Sequence, residues 1–456
     1  MTRVSESDRR LIRWGTLQSF VIQGGSVALV FIGNLFLVRS SDADSYGLYV
    51  HVFNWVSILS VVVMWGRDDL VLVQLPRYAR DHGRLVGLVR AVNRWILAAG
   101  VVVGLGWVAL LYWVPIESLS NHQPLFRLAT IAVYLTAALG LNQFVLQALN
   151  HIRLSQVVEK LLKPLLLILG VGLLRLLAVP FNARVLVILS CVVLGICCGV
   201  VFWLVILKTR HYGEGRIEER HGVKTTWFFL ITLFTMLATK ITMLILPLYH
   251  LPSKDIGIFN ISYRFADLLI FPFFLMHTVL PQLFARHAIT GRAYTQSLFT
   301  ESNKLMTLLS LPLLLFIVVA GRWLMGLFGP EFTVGYPAMI YISLAQFLFS
   351  FFGPANTILM MQDREKYSAG CLLFYVVVLA GTSWWLIPAG GITGGALAIL
   401  ISSIAFNILL AVVVYRVCGV RSPFLTWMAG QGWKAKAGPG RAGSSNKGSA
   451  SPKDQK

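Results

Sequence analysis

Apolar runs long enough to span a bilayer recur along the whole chain, with short polar hinges between them. A hydrocarbon core of about 30 Å needs roughly 20 apolar residues per helix. The runs fall near residues 14–38, 47–65, 95–114, 125–149, 161–179 and 185–207, and again near 225–248, 256–279, 302–320, 337–361, 368–388 and 392–415. About twelve transmembrane helices follow. Only 13% of the 456 residues are charged, whereas soluble domains carry roughly a quarter. No soluble fold uses so many uninterrupted spans, so the fold class is an all-α integral membrane protein. The first run, Trp14 to Val38, is too long for the apolar part of a signal peptide and lacks a small-residue cleavage site, so it is expected to remain as the first helix.

A net charge of +20 could indicate nucleic acid, but its placement argues for a membrane. Of the 39 Lys and Arg residues, 31 fall in the two tails and alternate hinges, 5 fall in the opposite hinges, and Arg175, Lys240 and Arg264 lie within spans. This positive-inside pattern puts both termini in the cytoplasm, which requires an even helix count. A multi-pass protein of the cytoplasmic (inner) membrane is expected, with membrane lipids as partners and no nucleic acid. The five cysteines lie in or beside apolar runs and read as small buried hydrophobes rather than disulfides or a metal site.

The chain divides into two related halves. Residues 1–207 form an N-terminal six-helix lobe, 208–224 a polar cytoplasmic linker, 225–417 a C-terminal six-helix lobe, and 418–456 a disordered basic cytoplasmic tail. In the first half Tyr46-Gly47-Leu48-Tyr49 opens a helix that Pro76-Arg77-Tyr78 follows; in the second Ile256-Gly257-Ile258-Phe259 opens one that Pro281-Gln282-Leu283 follows. Parallel repeats of six helices are a known transporter architecture, with the substrate site between the halves.

Charges within spans cost about 2.5–3.5 kcal/mol on insertion scales, so they usually face a polar cavity or a partner. Lys240, on the seventh helix, either lines a cavity and attracts an anion or snorkels to the interface. Arg264, on the eighth, offers a planar fork suited to phosphate, or pairs with Asp267 three residues on. In the repeat Arg264 corresponds to Asn54, which makes both candidates for the interface between the lobes. Arg175 reads as an interface anchor, and Arg67, Asp68 and Asp69 as a locally paired charge cluster at the cytoplasmic mouth. Asn34, Asn142, Gln143, Gln346 and Asn356 either bond between helices or line a cavity.

Together these segments resemble the polysaccharide-transport family, which includes the Wzx-type O-antigen flippases of the multidrug/oligosaccharidyl-lipid/polysaccharide (MOP) exporter superfamily. The likeness is carried by Tyr46-Gly47-Leu48-Tyr49 with Gly66-Arg67-Asp68-Asp69-Leu70, and by Ile256-Gly257-Ile258-Phe259-Asn260 with Tyr263-Arg264-Phe265. It continues in Leu327-Phe328-Gly329-Pro330-Glu331-Phe332, Gly335-Tyr336-Pro337, and Gly353-Pro354 ahead of Gln362-Asp363. It extends over roughly residues 10–417. Lys240 is a departure, because relatives often carry an acidic residue there.

The resemblance implies two pseudo-symmetric lobes around a central cavity. It also implies alternating-access flipping of a polyprenyl-pyrophosphate-linked oligosaccharide for cell-surface polysaccharide synthesis. Polysaccharide polymerase machinery is a further expected partner, and no cofactor is expected. Lys240 and Arg264 would bind the substrate, and Asp267, Asn34, Asn54, Asn142, Gln143, Gln346 and Asn356 would be cavity or coupling residues. Two alternatives remain. An ion-coupled multidrug exporter of the same superfamily would need an acidic cavity. A membrane-embedded polymerase or ligase would need a catalytic set, and the scattered histidines and short outer loops offer none, so no catalytic residue is assigned.

Overall fold

The computed structural model describes residues 25, 27–78, 81–113, 122–210, 222–272, 292–353, 355–361 and 364–421. The N-terminal arginines, most of the linker, the Pro281 repeat motif, Gln362-Asp363 and the tail from 422 lie outside the described residues.

The described residues are helical, and twelve helices follow one another. They are α1 (Val27–Ser40), α2 (Ala43–Met64), α3 (His82–Trp113), α4 (Gln123–Ala148), α5 (whose last part is Lys163–Leu176), α6 (Ala183–Thr209), α7 (Gly222–Ile245), α8 (Ser253–Asp267), α9 (Arg292–Gly326) and α10 (Tyr336–Phe352). A final helical run, Glu365–Cys418, is broken by Gly391 at φ +53° into α11 (365–390) and α12 (392–418). Among the described residues eight helices, counting the last run once, are long and apolar enough to cross a membrane. Their outward faces are apolar: Val102, Leu105, Leu176, Val319 and Trp385 are all exposed, as hydrocarbon requires and water would not tolerate in such number.

Local signals set the helix ends. Asp42 caps α2 by accepting from the Ser45 amide, and Trp65 and Gly66, both left-handed, end it. Asn182 caps α6 through the Val185 amide. These side chains satisfy amides that a helix start leaves without a partner. Gly353, at φ +78°, stops α10 eight residues before the expected end of its span, and a short helix, Ala355–Met361, follows.

Several spans are longer than their apolar cores. The third begins at His82 rather than 95, and the ninth covers Arg292–Gly326 rather than 302–320. The fifth differs most. It starts with Ile152–Val157, passes through a π-helical turn at Val158–Leu162, and continues as Lys163–Leu176. Arg153, Lys160 and Lys163, which the charge count assigns to a polar hinge, are therefore helical. The physical reason is that charged residues extend a helix freely once it leaves hydrocarbon or lines a polar cavity, so hydropathy underestimates its length.

Buried apolar side chains form two clusters. One lies wholly within residues 52–205; the other runs from 243 to 420 and takes in Leu37, Val38, Tyr46, Val50, Val171 and Leu186. In the first, α4 packs on α2, α3 and α6; in the second, α10 packs on α8, α9 and the α11/α12 hairpin. The seam between them is made chiefly by α2 against α7 and α8. Small hydroxyls tie helices together inside the second cluster: Ser310 to Ser350 at 2.9 Å, Thr242 to Ser383 at 3.3 Å and Thr382 to Ser402 at 2.9 Å.

Candidate functional site

A cavity of about 340 Å³ lies along the seam, walled by α1, α2, α5, α6, α7 and α8. Its first boundary is the crossing of α2 and α8, where Gly47 meets Gly257. Around the same end the Asp44 carboxylate accepts from the Lys254 amide at 3.0 Å, and Arg39 Nε donates to the Leu327 carbonyl at 2.8 Å. Arg175 donates to the Arg39 carbonyl at 2.8 Å, so this anchor fastens α5 to the end of α1. The Asp44–Lys254 and Arg39–Leu327 bonds cross the seam at that end. From the glycine crossing the cavity extends along both helices to Ser57, Glu159 and Leu194.

Directly below the crossing sits the Tyr46 hydroxyl. Asn260 Nδ2 donates to it at 2.9 Å, it faces Asn34 Oδ1 at 3.5 Å, and the Arg264 side chain reaches it. A fully buried phenol is stable only with such partners. Further along, Asn54 on α2 and Arg264 on α8 both line the cavity. The Asn54 amide faces Met243 Sδ at 3.4 Å. Lys240 lines the wall from α7 and is half-buried.

Of the sequence-derived candidates, Lys240, Arg264, Asn34 and Asn54 share this cavity. The Arg264–Asp267 pair does not form: among the described residues the ion pair within 4.0 Å is Arg84–Asp81 at 3.1 Å. Arg264 instead turns to the cavity and to Tyr46, while Asp267 accepts from Gln346 on α10 at 3.3 Å. Four candidates lie elsewhere. Asn142 exchanges amide bonds with Asn93 of α3 at 3.0 and 3.3 Å. Gln143 is buried on α4 with its Nε2 lacking a hydrogen-bond partner. Asn356 accepts from Ser368 at 2.7 Å, and Gln346 is buried against Asp267. Interhelical bonding explains Asn142, Asn356 and Gln346 without a cavity.

The structure adds residues that sequence reasoning left out. Glu159, in the π-helical turn of α5, and Lys163, just after it, line the cavity, as do Tyr49 and Ser190, whose hydroxyls bond at 3.1 Å. The signal for Lys163 was the Lys163-Pro164 pair. Proline has no amide to give the preceding turn, and the helix widens just before it.

In the Arg67 cluster, Arg67 stacks 3.5 Å over the Trp95 ring. Asp68 is buried with one carboxylate oxygen unpartnered. Burial, reinforced by the Asp68 charge, pushes Asp69 up to about 6 against an opposing bond to Thr232 of α7. This cluster lies on the short helix Arg67–Gln74, away from the cavity lining.

No protein-family model matches the sequence, and no curated protein matches it. Solved structures do. An inward-facing structure of a multidrug resistance MATE family transporter of the MOP superfamily aligns over 84% of this chain and 92% of its own, with a TM-score of 0.70 at 13% identity. The lipid II flippase MurJ, in an inward closed conformation, aligns over 86% of each chain with a TM-score of 0.65 at 12% identity. A MOP superfamily transporter from Pyrococcus furiosus aligns over 88% of this chain and 93% of its own, at 0.62 and 13% identity; its binding pocket is described as of reverse polarity, suggesting a different function. The chain therefore has the fold shared by these MATE and MurJ transporter structures.

Proposed function

We propose that this protein is a transporter of the cytoplasmic membrane that flips a polyprenyl-pyrophosphate-linked oligosaccharide by alternating access. One observation carries the reading: Lys163, Lys240 and Arg264 line the seam cavity with Glu159 as the one carboxylate among its lining residues. A cationic hollow stabilises a phosphate-bearing head group, and Arg and Lys are the side chains suited to hold it. In this reading the lobes 1–207 and 225–417 rock about the Gly47–Gly257 crossing, both termini and the 208–224 linker are cytoplasmic, and the cavity opens to the cytoplasm. The head group sits among the cations while its lipid tail stays in the bilayer. Polysaccharide polymerase machinery would take the product on the far side.

The test is complementation of an export-deficient strain, with identification of the lipid-linked glycan that accumulates on deletion. Replacing Lys240 and Arg264 by Ala should abolish export while the protein remains folded in the membrane. Unchanged export with both replaced would remove the cavity from the mechanism.

A multidrug exporter is the second reading, favoured by the fold shared with MATE and by Asp267, within electrostatic reach of both Lys240 and Arg264. It predicts drug tolerance on overexpression, abolished by Asp267→Asn. The flippase reading predicts neither.

A further inference from the structure

The charges of the cavity can be set against those of its ligand. Lys163 comes from α5, in the half that precedes the linker; Lys240 and Arg264 come from α7 and α8, in the half that follows it. Arg264 is close enough for its charge to act on both lysines. With Glu159 as the lining carboxylate, the cavity carries a net charge of two. Asp267 stands outside the lining, bonded by Gln346.

We propose that Lys163 makes the cavity selective for a diphosphate diester, which carries two negative charges, over a phosphodiester, which carries one. This deepens the flippase reading and rests on it, since it specifies the charge of the group that the cavity takes. The argument is electrostatic. In the empty cavity Lys163 on one side of the seam repels Arg264 on the other, and a low-dielectric surround strengthens that repulsion. A dianion spanning the seam contacts cations from both halves and cancels the repulsion. A monoanion neutralises only one of the two net charges, so part of the repulsion remains. Glu159 sits one helical turn before Lys163 and faces the same cavity, yet no ion pair within 4.0 Å joins them. The Glu159 charge acts on Lys163 without a direct ion pair, so the lysine's donors face the cavity's ligand, and Glu159 sets an upper limit by repelling anions of higher charge, such as a free diphosphate.

The experiment uses the full-length protein in detergent and two synthetic probes with the same ten-carbon isoprenyl chain and the same glucose, one joined by a diphosphate and the other by a single phosphate. Binding is measured for the wild type, Lys163→Gln, Lys163→Arg, Glu159→Gln and the double variant Lys240→Gln/Arg264→Gln, each first checked for a monodisperse elution profile and an unchanged Tm. The wild type should prefer the diphosphate probe by roughly tenfold, the scale of one charged hydrogen bond. Lys163→Gln should remove that preference while leaving the monophosphate probe nearly unaffected, and Lys163→Arg should restore it. Glu159→Gln should tighten the diphosphate probe. Equal binding of the two probes to the wild type, or a preference unchanged in Lys163→Gln, overturns the proposal. If the double variant still loses the diphosphate probe in that second case, the flippase reading survives alone. If the wild type binds neither probe, both fall.

Discussion

Gly257 packs directly on Gly47: a methyl group on Gly257 would lie 3.3 Å from the Gly47 Cα and 2.9 Å from the Tyr46 ring. A methyl on Gly47 would fall onto the Ser253 carbonyl, a clash with backbone that no side-chain rotation relieves. The two helices thus touch where neither carries a side chain. Gly47→Ala should lower Tm more than Gly257→Ala, whose clash the Tyr46 ring can partly absorb. Overpacking of this kind costs about 1–3 kcal/mol. Equal, negligible shifts in the two variants would show that α2 and α8 do not meet this closely.

The Tyr46 hydroxyl joins both halves through Asn260 and Arg264 on one side and Asn34 on the other. Tyr46→Phe removes that oxygen and retains the ring, which packs against Gly257. Arg264 then loses a positioning contact, and the Asn260 amide loses its acceptor in a buried site. Expected is a several-fold drop in transport or probe binding, with Tm falling by no more than the roughly 1–3 kcal/mol of an unsatisfied buried donor. Full activity in the variant would mean that Arg264 is held by other groups.

Much of this architecture was legible in the sequence because hydrocarbon imposes a simple rule: residues facing lipid must be apolar over about twenty positions. The helices, the Gly47 and Gly257 equivalence and the shared fate of Asn54 and Arg264 all follow from periodicity and spacing. The site was half legible. Lys240 and Arg264 stood out because charges are rare in spans, whereas Asn142 and Gln143 stood out equally and lie away from the cavity. An amide in a span has the same sequence signature whether it faces another amide, as Asn142 faces Asn93, or a cavity, as Asn34 does. Lys163 was missed because the charge count assigned it to a polar hinge at the edge of the 161–179 run, and hydropathy gives no sign of a π-helical turn.

Asn142 and Asn93 provide a control for that distinction. Their reciprocal bonds lie between α3 and α4, remote from the cavity lining. Asn142→Leu with Asn93→Leu should leave transport near the wild-type level and alter stability by about the 0.6 kcal/mol typical of interhelical bonds in a membrane. Loss of transport in a folded double variant would bring α3 and α4 into the mechanism.

Asp69 gives a pH dependence with a defined sign. Burial and the Asp68 charge raise its pKa from 3.8 to about 6 in the folded protein. The folded state therefore binds this proton more tightly than the unfolded state, so stability is lost as pH rises from about 4 to about 6 and is not regained above that range. Asp69→Asn, which resembles the protonated acid, should raise Tm at pH 7.5 and give a smaller gain at pH 5. An Asn variant with the same Tm difference at both values would place the Asp69 carboxylate in water.

The π-helical turn yields the strictest test of how α5 presents its charges. In Val158–Leu162 the helix is one residue wider than an α-helix, and the Lys163 amide donates to the Val158 carbonyl five residues back. Each residue of an α-helix turns the chain by about 100°, so deleting one residue from this turn, for example Leu161, restores α-helical spacing. Glu159 then stands three residues before Lys163 instead of four, and both spacings keep the two side chains on one face of the helix. Because Lys163–Leu176 stays packed on α6, Lys163 should keep its place and Glu159 should stay beside it. The deletion should therefore retain the diphosphate preference, and Glu159→Gln in the deletion background should tighten the diphosphate probe as it does in the full chain. If the deletion removes the preference instead, Lys163 is the part that moves, which assigns the turn to positioning the lysine.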